Sequence, residues 1–203
     1  MRLELAIDLL KSGRGELDAT AARALILECE TRASRSQAAG EIGEARRLTR
    51  RAAALDGLLS HGPDPARMVA EVELPAGYHG KILLVRLAGG GFERMICLRS
   101  GDAWHREILA NTRAEIKDLG FEHTHVDPLG GAWARFEPDG SIVIWGTSDE
   151  YGCCDKEQAA LMIARAHQDV VGEHPEVLGA RDGTWVLRDG KGRGSVLGPP
   201  ERL

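Results

Sequence analysis

Aromatic side chains are scarce in this chain of 203 residues, at 4%. Cysteines are few as well, and Cys29, Cys97, Cys153 and Cys154 are too scattered for a disulfide framework and fit no zinc-ligand spacing. Long apolar runs are missing. "KILLVRLAGG" and "SIVIWG" are strand-sized, far below the roughly 18 apolar residues of a membrane span. The opening "MRLELAIDLLKSG" has no long apolar core and no small-residue cleavage site, so no secretory signal is expected. Net charge is −5 and no segment is strongly basic. A nucleic-acid partner and an anionic membrane are therefore not expected, and the expectation is a cytoplasmic protein.

What is present divides near residue 70. The first part is rich in Ala, Leu, Arg and Glu. "LDATAARALILECETRASR" sets Leu17, Ala21, Ala24, Leu25 and Leu27 at roughly helical spacing, with Asp18 as N-cap. "SQAAGEIGEARRLTRRAAALDGLLS" repeats the pattern through Ile42, Ala45, Leu48, Ala52, Leu55 and Leu59. Two single-striped helices predict a hairpin over residues 1–70. Its arginines Arg46, Arg47, Arg50 and Arg51 form a one-sided basic patch, a solvated face or a seat for an acidic partner. "HGPDPAR", residues 61–67, reads as a linker.

From residue 71 to 190 the pattern turns β-rich. "KILLVRL" and "ERMICLR" predict two strands joined by glycines, and a helix follows over 102–119. "FEHTHVDPLGG", "AWARFEPDG" and "SIVIWG" predict three more strands. A second helix covers "DKEQAALMIARAHQDVVGEH", then "TWVLRD" gives a last strand and 191–203 a loose tail. The order ββαβββαβ predicts an α+β fold with a mixed, mostly antiparallel sheet and two helices, preceded by the helical hairpin.

The chemistry-bearing residues gather at two helix starts. If Asp102 caps the first core helix, His105 lies in its first turn, where the positive helix end disfavours imidazolium and suits a neutral general base. The alternative is a surface histidine that happens to begin a helix. "WGTSDEYGCCDKEQAA" runs from a strand end through Thr147 and Ser148 into the second helix. Such a loop aims backbone N–H groups at a tetrahedral anion, or is an ordinary turn capped by Ser148 or Asp149. Lys81, at the start of the first core strand, adds a cation or is a solvated lysine. Cys153 and Cys154 offer a low-pKa thiolate near that helix, or two small residues filling a turn. His123 and His125 share a strand face but lack an evident third metal ligand. Trp104, Trp133, Trp145 and Trp185 read as core and pocket walls.

"KILLVRL", "AWHREIL" with "PLGGAWARF", and "SIVIWGTSDEYG", in this order, resemble the Janus/Ocnus phosphohistidine phosphatases over residues 78–190. The resemblance implies a metal-independent phosphatase without a cofactor, acting on a phosphorylated protein or a small phosphoramidate. It implies His105 as the catalytic base, Lys81 and Ser148 as phosphate ligands, and the backbone N–H of Glu150 as a further donor. Gly130, Gly131 and Tyr151 complete the implied substrate-binding set. This chain has Lys156 where the family has a second histidine, and Ala132 and Trp133 at a glycine and an arginine. The alternative is therefore a binding or regulatory protein that keeps the fold without catalysis. Its N-terminal helices would dock a partner or form a homodimer through residues 1–70.

Overall fold

The computed structural model describes residues 19–61 and 64–190. Two long helices, α1 (Ala19–Ala38) and α2 (Ile42–His61), come first, then a single turn, α3 (Pro65–Met68). The α+β part follows as β1 (His79–Gly89), β2 (Phe92–Ser100), α4 (His105–Asp118), β3 (His125–Phe136), β4 (Ile142–Trp145), α5 (Lys156–Ala166), α6 (Gln168–Val171), β5 (Pro175–Gly179) and β6 (Trp185–Asp189). The strands form one six-stranded sheet in the order β2-β1-β3-β4-β6-β5. All its strand pairs are antiparallel, and parallel pairing occurs only at isolated bridges such as Gly131 with Cys153. The expected α+β architecture holds. Among the described residues no helix is long and apolar enough to cross a membrane.

The unbroken apolar run of β1 is explained by burial on both faces. Leu83, Val85 and Leu87 pack with Ile108, Leu109 and Ile116 of α4 and with Leu55 and Leu58 of α2. Ile82 and Leu84 face the other way, into a core with Ala132, Ala134, Ile142, Ile144 and Ala159, Ala160, Met162 and Ile163 of α5. The β1–β2 turn is made at Gly89, Gly90 and Gly91, all with φ between 61° and 101°, where a side chain would be strained.

Five expectations need correction. The strands predicted in "FEHTHVDPLGG" and "AWARFEPDG" are one strand, β3, with a register shift opposite Leu84 and Val85. The residue left over there is Leu129, beside Pro128, which has no N–H for a ladder. The second core helix ends at Ala166, and its predicted C-terminal end becomes α6 and the approach to β5. In α1 the buried line is Ala22, Cys29 and Ala33, whereas Leu27 is 64% exposed. In α2, Ala45, Leu48, Ala52 and Leu55 are buried as expected, but Ile42 is exposed and Leu58 rather than Leu59 completes the stripe. The "linker" is structured from Pro65, and Met68 and Val69 are buried in the main core. Leu17, Asp18 and the tail at 191–203 lie outside the described residues.

The arginine patch of α2 faces the chain's own acidic groups. Arg46 pairs with Asp102, Arg47 with Glu44 and Asp118, Arg50 with Glu73 and Glu115, and Arg51 with Asp118. Arg99, 1% exposed, reaches Glu73 at 3.3 Å and Glu115 at 3.8 Å.

Candidate functional site

His105 is the first residue of α4, and Trp104, with φ −128° and ψ 141°, is its N-cap. The Trp104 N–H donates to the Glu107 carboxylate at 3.3 Å. Asp102 is not the cap expected from sequence. Its carboxylate is drawn instead to the Arg46 guanidinium, at 3.4 Å. The placement of His105 in the first turn is unchanged by this. His105 is only 5% exposed, and its Nε2 lies 3.2 Å from the Ala132 carbonyl. A carbonyl oxygen only accepts, so Nε2 is the donor, and in a neutral ring Nδ1 holds the lone pair.

Gly131 explains how the ring comes so close to β3. A Cβ on Gly131 would lie 2.5 Å from His105 Nε2 and 3.0 Å from Ser148 Cβ. His105 and Ser148 thus flank one glycine on the α4 side of the sheet. Gly130, with φ +119°, makes the same kind of approach to Cys153, whose carbonyl would lie 2.5 Å from an added Cβ.

The loop after β4 is tied to this point. The Gly131 N–H donates to the Gly152 carbonyl at 3.0 Å, and the Cys154 N–H to the Gly131 carbonyl at 3.4 Å. Within the loop, Ser148 and Gly152 exchange backbone hydrogen bonds at 3.2 and 2.9 Å, and the Tyr151 N–H donates to Ser148 Oγ at 3.2 Å. The expected array of free amides is therefore partly spent inside the loop. The Glu150 N–H donates to nothing among the described residues. The Glu150 carboxylate meets Arg106, the second residue of α4, at 3.3 Å. Ser148 is 3% exposed, and Tyr151 packs against the α4-side core.

Lys81 stands opposite Trp133 in the β1–β3 register. Its ammonium lies 4.2 Å from the centre of the Trp104 ring and 5.5 Å from that of Trp133. A cation over an indole is held electrostatically by the ring quadrupole. Trp133 stacks on Trp145 at 6.2 Å between centroids, and His79 lies against both. Trp104 is 51% exposed, a rim group rather than the core wall expected for it.

Lys81, His105, Gly130, Gly131, Ser148, Glu150 and Tyr151 are thus joined by direct contacts or through one intermediate residue. Sequence reasoning missed the connectors: Arg106, Trp104 as a platform for Lys81, and Tyr78, whose hydroxyl accepts from the Gly101 N–H and donates to the Lys81 carbonyl. Only the Trp104-His105 adjacency hinted at the platform. Cys154 is not the low-pKa thiolate considered for this loop, because burial pushes its thiol up to about 12. The helix is capped by Asp155, whose carboxylate accepts the Gln158 N–H at 2.9 Å. His123 precedes β3 and both it and His125 are exposed. Among the described residues no three His, Cys, Asp or Glu side chains converge as a metal site would.

A model of the Janus/Ocnus family (Ocnus) matches residues 67–171, which run from α3 through β4 to the end of α6. No curated protein matches the chain.

Proposed function

The chain belongs to the Janus/Ocnus family, and on that premise we propose that it is a metal-independent phosphatase of phosphohistidine or a related phosphoramidate. The observation that carries the reading is the meeting of His105 and Ser148 across Gly131, where a Cβ has no room. An imidazole, a hydroxyl-bearing loop and a nearby lysine are a sufficient set for phosphoryl transfer, which is mostly positioning and charge stabilisation.

The Lys81 ammonium, the Glu150 amide and the Ser148 hydroxyl hold the phosphoryl oxygens. The Ala132 carbonyl fixes the ring through Nε2, so Nδ1 takes a proton from the attacking water. The new O–P bond forms as the P–N bond breaks, and the proton taken by Nδ1 passes to the leaving nitrogen, which departs protonated with orthophosphate as co-product. A phosphoramidate bond is labile enough for so small a set of groups.

The test is His105→Ala against a phosphoramidate in the full chain. The expected outcome is a loss of turnover of about 10²- to 10⁴-fold with the fold retained. Retained turnover removes the assignment.

One observation favours a second reading, a binding protein without catalysis. Lys156, at the position of the family's second histidine, is directed toward the β5–β6 turn, its Nζ 3.6 Å from where a Cβ on Gly183 would lie. Calorimetry with orthophosphate separates the two: binding without turnover by the wild-type chain selects the second.

A further inference from the structure

The hairpin α1–α2 lies outside the segment matched by the family, yet its arginine row runs along α4. Arg46 engages Asp102, three residues before His105, while Arg47, Arg50 and Arg51 engage Glu115 and Asp118 at the far end of the helix. The approach to α4 is held at each residue from Arg99 to Asp102. Arg99 is clasped by Glu73 and Glu115, and the Ser100 hydroxyl donates to the Glu73 carbonyl at 2.6 Å. Gly101 has φ +110°, and a Cβ there would land on the Arg46 guanidinium. Its N–H donates to the Tyr78 hydroxyl at 2.9 Å, and that hydroxyl donates to the Lys81 carbonyl at 2.8 Å. Burial pushes the Tyr78 phenol up, so it stays protonated and serves as both donor and acceptor.

We propose that Arg46 is a positioning residue and that the hairpin carrying it is a built-in part of the site. Its guanidinium lies flat on Gly101 and pairs with Asp102, fixing the entry to α4 and thereby His105 against Gly131 and Ser148. Through Gly101 and Tyr78 the same anchor reaches Lys81, whose ammonium rests on Trp104, the cap of the same helix. Two of the groups that would meet the phosphoryl are thus referenced to one arginine from outside the family segment. The arginine row, which reads in sequence as a solvated face or a seat for an acidic partner, is instead paired with acidic groups of this chain.

The kinetic part of the proposal rests on the phosphatase reading; the geometric part does not. The experiment uses the full chain with ¹⁵N-labelled histidine, the His105 ring signals being assigned with His105→Ala. Arg46→Ala and Asp102→Asn should each move the His105 ring resonances while the chain remains folded. Arg46→Lys, which keeps the charge but loses the flat fork, should move them less. Arg32→Ala, which removes a hairpin charge paired among the described residues with Glu28 and Glu44, should not move them. In turnover, Arg46→Ala should lower kcat about tenfold with KM within about twofold, because a displacement remote from the chemistry is felt as lost alignment. Asp102→Asn leaves the hairpin itself untouched, so it decides the matter if Arg46→Ala does not fold. Unmoved ring resonances in a folded Arg46→Ala or Asp102→Asn chain overturn the proposal. A wild-type chain without turnover removes the phosphatase reading alone, and the ring signals then decide this one.

Discussion

Replacing Gly131 by alanine adds one methyl group at the point where β3, α4 and the loop after β4 meet. The new Cβ would stand 2.5 Å from His105 Nε2, 2.6 Å from Cδ2 and 3.0 Å from Ser148 Cβ, whereas ordinary contact begins near 3.4 Å. The ring must retreat by roughly 1 Å, which breaks its hydrogen bond to Ala132. Overpacking of this kind costs about 1–3 kcal/mol. Gly131 is not in the left-handed region, so alanine also stiffens the unfolded chain, and that returns about 0.4–1 kcal/mol. The net loss of stability is therefore small, about 0–2.6 kcal/mol. The loss of rate should be much larger, about 10²-fold in kcat/KM, because a misplacement of about 1 Å is amplified in the reaction. Turnover of a phosphoramidate and urea denaturation measure the two. Gly140→Ala is the control. Its φ is +82° and the nearest atom to an added Cβ is 3.9 Å away, so it should lose about 1–2 kcal/mol through backbone strain and keep its kcat. A folded Gly131→Ala chain with kcat/KM within about threefold of wild type would refute the argument that the glycine exists to admit the imidazole.

Arg99→Met should destabilise by about 3–5 kcal/mol in urea, since it leaves Glu115 buried with Arg50, at 3.5 Å, as its nearest cation; a loss below about 1 kcal/mol contradicts this. Burial pushes the Glu115 carboxyl up despite Arg99 and Arg50. A raised carboxyl binds more protons folded than unfolded in the window above its ordinary value, near 4.3, so it contributes a stability that falls as pH rises. The difference in stability between wild type and Glu115→Gln should therefore shift against the wild type from about pH 4 to about pH 7, and a shift the other way refutes the assignment. Thiol reagents provide a further check: at about pH 8 the native chain should react at Cys153 alone, because burial holds Cys97 at about 11 and Cys154 at about 12 and also pushes Cys29 up. Fast modification of Cys154 in the folded state would contradict the burial.

The parts legible in sequence were those whose signal is local. A run such as "KILLVRL" has one stable fate, a strand covered on both faces, and the glycines after it bend back into β2. The start of α4 at His105 and the loop carrying Ser148 after β4 were legible because each is marked by its own local sequence, whereas Gly131 lies in mid-strand and its role shows only through contacts with both. What was missed depends on distant partners. Asp102 has the spacing of a cap but is taken by Arg46, 56 residues away in the chain. β3 looked like two strands because Pro128 and the glycine pair signal a turn locally, while in the fold all three pair with β1 and only Leu129 is left over as a bulge. β5 was hidden because the apolar spacing of α5 carries on through Val170 and Val171, and only pairing with β6 draws residues 175–179 into the sheet. In α1 the choice between neighbouring alanine and leucine stripes depends on the face α2 offers, which α1 alone does not encode.

The charges around α4 invite the question why this interface is ionic at all. Exposed pairs such as Arg106 with Glu150 contribute at most about 1 kcal/mol each. The enclosed group of Arg50, Arg99, Glu73 and Glu115 loses so much hydration that an apolar replacement of all four could equal its stability. Stability alone therefore does not account for the arrangement. Direction does. An apolar contact tolerates sliding of one helix along another, whereas a guanidinium on a carboxylate fixes distance and orientation together. Arg50 binds the Glu73 carboxylate, the Glu73 backbone binds Ser100, and Glu115 ties Arg50 and Arg99 to α4, so α2, β2 and α4 share one register. With Arg46 on Gly101 and Asp102, that register is carried to the residue before the Trp104 cap's own neighbour and so to His105. Replacing all four enclosed charges by well-packed apolar residues should then leave unfolding nearly unchanged and still displace the His105 ring signals, a separation that a purely stabilising role for these charges would not produce.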